Sequence, residues 1–469
     1  MLLTIDIGTS SFKAALWDFD GNRLGWVTLP VSAGVHDGDR HEAECAQWLR
    51  AFEECCRLLV SFKYISDVEA VVLSGNGPTL IPVTGAAAVG AEGLSLEAEN
   101  ARLWLDRRAE KYTAEVSQTM GGYVDASFFL PKILMIKNEE SELYHKTKYF
   151  LGCPEYLACA LTGEVRTVFP SDGFDRWFWN DDALNKLRLD AEKFPLFIRP
   201  GDRFGTMLST VSEYFGFKKD IPVISGGPDF FSSILGAGVI LPGQACGRTG
   251  SSDGINLCAP AAREQDATEP NKSAAANKLM SYGHPVKPYR NLSGTINTSG
   301  KAIEWASALL GLSSIDDFFA LAQESKPGSG GLVFRPYLAG ERAPLWDASL
   351  RASWSGISLS SGRAEFANSV LEGICFAIRD VISVMEESGV TVSELRVTGR
   401  LAGNAYLNQL KANITGKKVI EPVNKEAELT GLAIIGACSL GKYSSYTEAV
   451  SVFVKNKKCY TPDGLNANP

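Results

Sequence analysis

Apolar positions crowd into short runs at the start of the chain. Leu2-Leu-Thr-Ile-Asp-Ile7 and Phe12-Lys-Ala-Ala-Leu-Trp17 flank the turn Gly8-Thr9-Ser10-Ser11, Asp20-Gly21 is a two-residue hairpin signal, and residues 24–29 add another apolar run. This pattern predicts an antiparallel meander of three strands. Over residues 42–63 the spacing becomes helical, with Trp48, Phe52, Leu58 and Leu59 on one stripe. Residues 68–73 form a continuous apolar run, the mark of a buried strand, and lead into Ser74-Gly-Asn-Gly-Pro78. The Gly/Ala-rich stretch 85–93 reads as a loop, and residues 111–161 read as largely helical, with Gly163 as a stop. A second buried strand at 221–224 breaks at Ser225-Gly-Gly-Pro228 and is followed by Asp229 and a helical segment, 230–235. Residues 244–258 repeat the order found at the N-terminus: strand, small-residue turn, strand. That repetition predicts two domains with related folds. Helices are expected over 299–310 and 363–386, a strand, turn and helix over 395–412, and a last helix over 429–440 that packs through Gly431, Ala433, Gly436 and Ala437.

Length agrees with two domains, because 469 residues exceed what one core usually organises. The net charge of −8 argues against nucleic acid or an anionic membrane as the main partner. No run of 18 apolar residues occurs and no leader precedes the first strand, so the reading is a cytoplasmic protein. The ten cysteines show no C-x-x-C, and the four histidines are scattered. Buried free thiols are the reading, with one of the adjacent pair Cys55-Cys56 buried and the other half-exposed, and the scatter of the histidines argues against a His-centred triad or metal cluster.

Four stretches carry candidate chemistry. Asp6 interrupts an apolar strand, where a carboxylate needs a partner or a cation. The turn after it offers N–H groups and hydroxyls able to cradle phosphate oxygens, with Asp6 holding Mg²⁺ through water; a tight turn with a solvated Asp is the alternative. Asp229 sits at a strand-to-helix elbow where two glycines let the backbone come close to something, and it is either a catalytic acid–base group or a helix cap. Trp104, Asp106 and Arg108 stand close enough together to hydrogen-bond and stack on a polyhydroxylated ligand, or to form a surface ion pair beside a half-buried Trp. Gly250-Ser251-Ser252 is either a second phosphate turn or an ordinary hairpin. No G-x-x-x-x-G-K-[ST] loop is present.

Taken in order, D-I-G-T-S at residue 6, S-G-N-G at residue 74, W-x-D-x-R at residue 104, G-G-P-D ending at residue 229 and P-Y-L-x-G-E-R-x-P at residue 336 resemble the FGGY carbohydrate kinases, relatives of xylulokinase, ribulokinase and glycerol kinase. The resemblance spans about residues 2–455. It implies an α/β, two-domain actin-like ATPase (ribonuclease H-like) fold with an interdomain catalytic cleft. Residues 1–238 would be the sugar-binding and catalytic domain and 239–469 the nucleotide-binding domain. It implies a kinase that transfers the γ-phosphate of ATP, with Mg²⁺, to a small sugar or polyol, and a homodimer is an assembly such members often form. By position, Asp229 would be the base and, with Asp6, the metal-holding pair. Asn76, Gly77, Trp104, Asp106, Arg108 and Asp229 would meet the sugar. Gly8, Thr9, Ser10, Lys13, Gly250, Ser251, Ser252, Gly399, Arg400 and Asn404 would meet the nucleotide. Two departures stand out. Arg400 replaces the second glycine of the adenosine turn, so it either stacks on the purine or fills its place; a catalytically silent sugar- or nucleotide-binding regulator that kept the fold is the competing reading. Pro78 stands where xylulokinase-like members tend to carry His, which leaves ketopentoses, tetritols and other polyols open as acceptors.

Overall fold

The computed structural model describes residues 1–32, 34–60, 64–91, 93–261 and 278–464. The chain divides into two compact units, Met1–Ser232 with Glu428–Phe453, and Ser233–Ala427 with Val454–Pro469.

The first unit is built on a six-stranded sheet. The opening meander forms as the turn signals predict: β1 (Leu2–Ile7), β2 (Ser11–Trp17) and β3 (Arg23–Pro30) pair antiparallel in succession. β4 (Ala70–Gly75) lies parallel to β1, β6 (Pro222–Pro228) parallel to β4, and β5 (Arg203–Thr206) closes the edge antiparallel to β6. Strand β4 is buried along its whole length, as a central parallel strand with both faces covered should be. Helix α1 (Ala46–Val60) lays Trp48, Phe52, Cys55, Cys56 and Leu59 into the core beneath this sheet. Both members of the cysteine pair are buried, against the expected split, because they lie on the wide apolar face of α1. The end of the expected helix, residues 61–63, falls outside the described residues.

Two readings change. Residues 85–93 are not a loop: Ile81–Gly90 and Gly93–Ala98 pair as an antiparallel ribbon. Alanine and glycine on both faces hide the alternation that normally marks a strand, and cross-strand pairing supplies what propensity lacks. The stretch 111–161 is broken into several pieces, among them α2 (Phe129–Glu139), a short strand Tyr149–Leu151 and α3 (Cys153–Thr162).

The second unit repeats the plan. β7 (Gln244–Thr249), β8 (Asp253–Ala259) and β10 (Arg290–Ile296) form the antiparallel meander, with β9 (Met280–Gly283) on its edge. β11 (Glu394–Gly399) lies parallel to β7, β12 (Lys418–Pro422) parallel to β11, and β13 (Asn456–Tyr460) closes antiparallel. The three-strand meander with two parallel strands beside its first member recurs in both units, so the repeat seen in the turn sequences is a repeat of topology. α4 (Asp229–Gly236) follows β6, whereas α5 (Gly300–Leu309), α6 (Arg363–Glu387) and α7 (Ala405–Thr415) belong to the second unit.

Residues 428–453, carrying nearly all of α8 (Ala427–Ser439) and the whole of α9 (Tyr446–Phe453), return to the first unit rather than staying with the second half of the chain. The small residues foreseen in the last helix do the packing. A Cβ on Gly431 would stand 1.8 Å from the Ser232 carbonyl oxygen, and one on Gly436 would stand 2.6 Å from Val72. None of the described helices is long and apolar enough to cross a membrane.

Candidate active site

Three loops leave one edge of the first sheet. β1, β4 and β6 are parallel neighbours, and their registers set Ile7 beside Gly75 and Gly75 beside Pro228. The next residues in each strand's path are Gly8-Thr9-Ser10, Asn76-Gly77 and Asp229. The carboxyl ends of parallel strands are where α/β folds place ligands, so topology alone brings three candidate stretches to one rim. Asp229 is half-buried at the first position of α4. Its elbow is held from the neighbouring strand, where the Ser74 hydroxyl donates to the Gly227 carbonyl at 2.8 Å. The room left by the two glycines is filled from inside the unit: a Cβ on Gly226 would stand 1.9 Å from Leu432 and 2.9 Å from the Leu73 carbonyl. Gly227 takes φ +75°, a conformation that favours glycine.

The fourth stretch joins them through hydrogen bonds. The Trp104 indole N–H donates to the Thr9 hydroxyl at 3.0 Å, tying the aromatic of the proposed sugar string to the first turn. Asn76 is buried; its main-chain N–H and its side-chain amide both donate to the Ile7 carbonyl, at 2.8 and 2.9 Å, and its side-chain oxygen accepts from Thr79 at 2.6 Å. Asn76 thus fastens the β4 loop to the end of β1, and Gly77 beside it is exposed. Asp106 is fully buried and accepts from the main-chain N–H groups of His41 and Arg108, both at 3.1 Å. Arg108 pairs with Asp106 at 2.7 Å and with buried Glu42 at 2.6 Å, so this is an anchored network rather than a surface ion pair. Burial pulls the Arg108 pKa down, but its bonds to Asp106 and Glu42 outweigh burial and the net shift is upward. Asp6 is buried in β1, directly across from Lys13 on β2.

The aromatic loop around residue 175 borders this region. Phe174 stacks on Phe230, the residue after Asp229, with centroids 5.8 Å apart and planes at 15°. Trp177 stacks on Phe128 at 5.6 Å.

In the second unit, the turn Gly250-Ser251-Ser252 joins β7 to β8, and Thr249 is register partner to Gly399. Both candidate nucleotide turns therefore leave one sheet edge side by side. Gly250 and Ser251 are exposed. Their carbonyls accept from the N–H groups of Ser299, Gly300 and Lys301 at 3.1 to 3.2 Å, so the turn sits on the start of α5. Gly399 has φ +87°, and a Cβ there would stand 2.4 Å from the Thr249 carbonyl. Arg400 is exposed and reaches sideways to Glu304 on α5 at 2.6 Å. Asn404 caps α7, accepting from the Leu407 N–H at 2.9 Å.

Two buried groups went unnoticed in the sequence. Lys411, on α7, donates to the Thr249 hydroxyl at 2.8 Å and lies 4.0 Å from Asp253, so one buried cation engages the residues on both flanks of the 250–252 turn. Burial raises the Asp253 pKa against the opposing pull of Lys411. The other is Lys132, fully buried in α2. Its signal was a single lysine in the apolar string Phe129-Leu-Pro-Lys-Ile-Leu-Met-Ile136.

Comparison with known proteins agrees over nearly the whole chain. Residues 1–236 match the N-terminal domain, and 259–440 the C-terminal domain, of the FGGY family of carbohydrate kinases. A xylulose kinase of Staphylococcus epidermidis is 26% identical over 480 residues, covering 99% of this chain and 93% of that one. A gluconokinase of Bacillus subtilis is 25% identical over 501 residues, covering 98% and 91%. The crystal structure of gluconate kinase from Lactobacillus acidophilus superposes with a TM-score of 0.82 at 22% identity, covering 98% of this chain and 93% of that chain. This last likeness is one of fold: two α/β domains of the actin-like ATPase type.

Proposed function

The chain belongs to the FGGY family of carbohydrate kinases, and from that membership we propose that it moves the γ-phosphate of ATP to a hydroxyl of a small ketose or polyol, with Asp229 as general base. The observation that most supports the base is the register of β1, β4 and β6, which sets Asp229 on the same rim as Asn76-Gly77 and the Gly8 turn. Asp229 accepts the proton of the attacking hydroxyl. The hydroxyl oxygen bonds to the γ-phosphorus, the bond from that phosphorus to the bridging oxygen breaks, and ADP leaves. The transition state of such transfers is loose, so positioning and charge neutralisation outweigh base strength. Trp104 and Arg108, braced by buried Asp106, hold the acceptor; Gly77 lets it approach the backbone. Gly250-Ser251-Ser252, with Gly399 beside them, receive the nucleotide. Arg400, turned toward Glu304, leaves that role to the glycine backbone.

Mg²⁺ suits the donors present. Asp6 and the hydroxyls of Thr9 and Ser10 are hard oxygen ligands, Asp229 adds another at the same rim, and Mg²⁺ binds through one or two carboxylates together with phosphate and water. When bound, the ion neutralises charge developing on the phosphate oxygens.

One observation favours a second acceptor class. The likenesses to a gluconokinase and a gluconate kinase suit an aldonate as acceptor. A coupled ADP-release assay across D-xylulose, other ketoses, polyols and D-gluconate, with several nucleoside triphosphates, separates these. Sugar-dependent ADP release with ATP is expected. Absence of release with every acceptor, alongside measurable binding, would return the chain to the silent-binder reading.

A further inference from the structure

Lys132 is among the largest fully buried side chains of the described residues, and its charge is met by main-chain carbonyls. Its ammonium donates to Leu103 O at 2.7 Å, Pro78 O at 2.9 Å and Arg102 O at 3.2 Å. An ammonium has three N–H bonds, and three carbonyls take one each. The positions of those carbonyls matter more than their number. Pro78 closes the loop that carries Asn76 and Gly77, and Leu103 immediately precedes Trp104. A buried lysine therefore spans the two backbone segments from which every acceptor candidate other than Asp229 projects.

We propose that Lys132 is a positioning residue for the acceptor: protonated, it staples the Asn76-Gly77 loop to the Trp104–Arg108 segment and sets the spacing between them. This rests on the reading of that rim as the sugar site. An apolar side chain here would strip the Pro78 carbonyl of this donor and leave the Arg102 and Leu103 carbonyls with only the Leu80 and Asp106 N–H groups, at 2.9 and 3.0 Å, so the bridge between the two segments would be lost. A neutral amine fails as well, since it keeps two N–H bonds and turns a lone pair toward a carbonyl. Burial draws the Lys132 pKa down to about 7, with Asp106 and Asp125 opposing that pull and Arg107 and Arg102 adding to it. The staple therefore weakens as pH rises past neutrality. A shift of even a few tenths of an ångström in the acceptor contacts is felt in acceptor binding, whereas the nucleotide turns at 250–252 and 399 lie on the sheet of the second unit.

The test takes the acceptor that the wild-type enzyme phosphorylates best and follows acceptor KM and ATP KM separately from about pH 6 to about pH 9, for the wild type, Lys132→Met and Lys132→Arg. In the wild type, acceptor KM should climb above about pH 7 while ATP KM stays level. Lys132→Met should raise acceptor KM about tenfold or more at pH 6 and flatten its pH dependence, and Lys132→Arg, which keeps the charge, should recover part of the loss. If Lys132→Met does not fold, the wild-type profile decides alone. Acceptor and ATP KM moving together, or an acceptor KM indifferent to pH in the wild type, would overturn the staple while leaving the kinase reading intact. A wild type that releases no ADP with any acceptor and binds none in calorimetry would remove both.

Discussion

At the scale of single residues, buried ionisable groups set the pH response of stability. Burial raises the Glu155 pKa to about 7 from 4.5, although its carboxylate still accepts from the Val168 N–H at 3.1 Å. Between those values the folded protein holds a proton that the unfolded chain releases, so stability falls as pH rises through that window. Lys132 acts in the opposite sense: its pKa falls to about 7 from 10.5. Between those values the unfolded chain holds the proton, so stability grows as pH rises. Together the two place a shallow minimum near neutrality. Glu155→Gln, which can still accept from Val168, should raise the Tm near pH 7 and flatten the acid-side slope; an unchanged Tm–pH curve would show that Glu155 keeps an ordinary carboxylate pKa. Arg400 offers a contrasting case. Its ion pair with Glu304 is exposed on both sides, and such pairs contribute at most about 1 kcal/mol. Arg400→Ala should therefore change stability by less than about 1 kcal/mol and ATP KM by less than about fivefold. A tenfold rise in ATP KM would mean the guanidinium leaves Glu304 for the nucleotide. The sequence posed the Arg400 question but could not answer it, because the partner lies 96 positions away. In the same way, Asn76 and Asn404 were visible as polar residues at element ends. Their actual work, binding Ile7 O and capping α7, depends on where other segments pass.

At the scale of elements, strand ends organise the molecule. The meander, the buried run of β4, the β6–α4 elbow and the turn repeat were all legible, because period, glycine placement and turn chemistry are local properties. The 81–98 ribbon was not, since small residues on both faces erase the period. Gly399 shows how tightly one such end is built. Its φ of +87° and the 2.4 Å approach of the Thr249 carbonyl to a built Cβ leave no room for a side chain. Gly399→Ala should cost about 1–3 kcal/mol in chemical denaturation and raise ATP KM more than acceptor KM. Native stability and an unchanged ATP KM in that variant would separate the 399 turn from the nucleotide.

At the scale of the whole molecule, the two related units were foreseen, but the return of residues 428–453 to the first was not. Nothing in an apolar helix with glycine notches names its partner; only the surfaces of Leu2, Val72, Gly226 and Ser232 do. A fragment ending at residue 238 would lack the packing of Leu432, Gly431 and Gly436, and so should lose near-UV circular dichroism and cooperative unfolding. A fragment that unfolds cooperatively would contradict that dependence. The same assembly gives the first unit its rim of three strand ends, and the proposed chemistry stands on one carboxylate there. The most direct measurement compares turnover with acceptor affinity in Asp229→Asn. If Asp229 takes the proton, turnover drops by about 10²- to 10⁴-fold while the acceptor dissociation constant from calorimetry stays near that of the wild type. Turnover within a few-fold of the wild type, with acceptor binding equally intact, would contradict it.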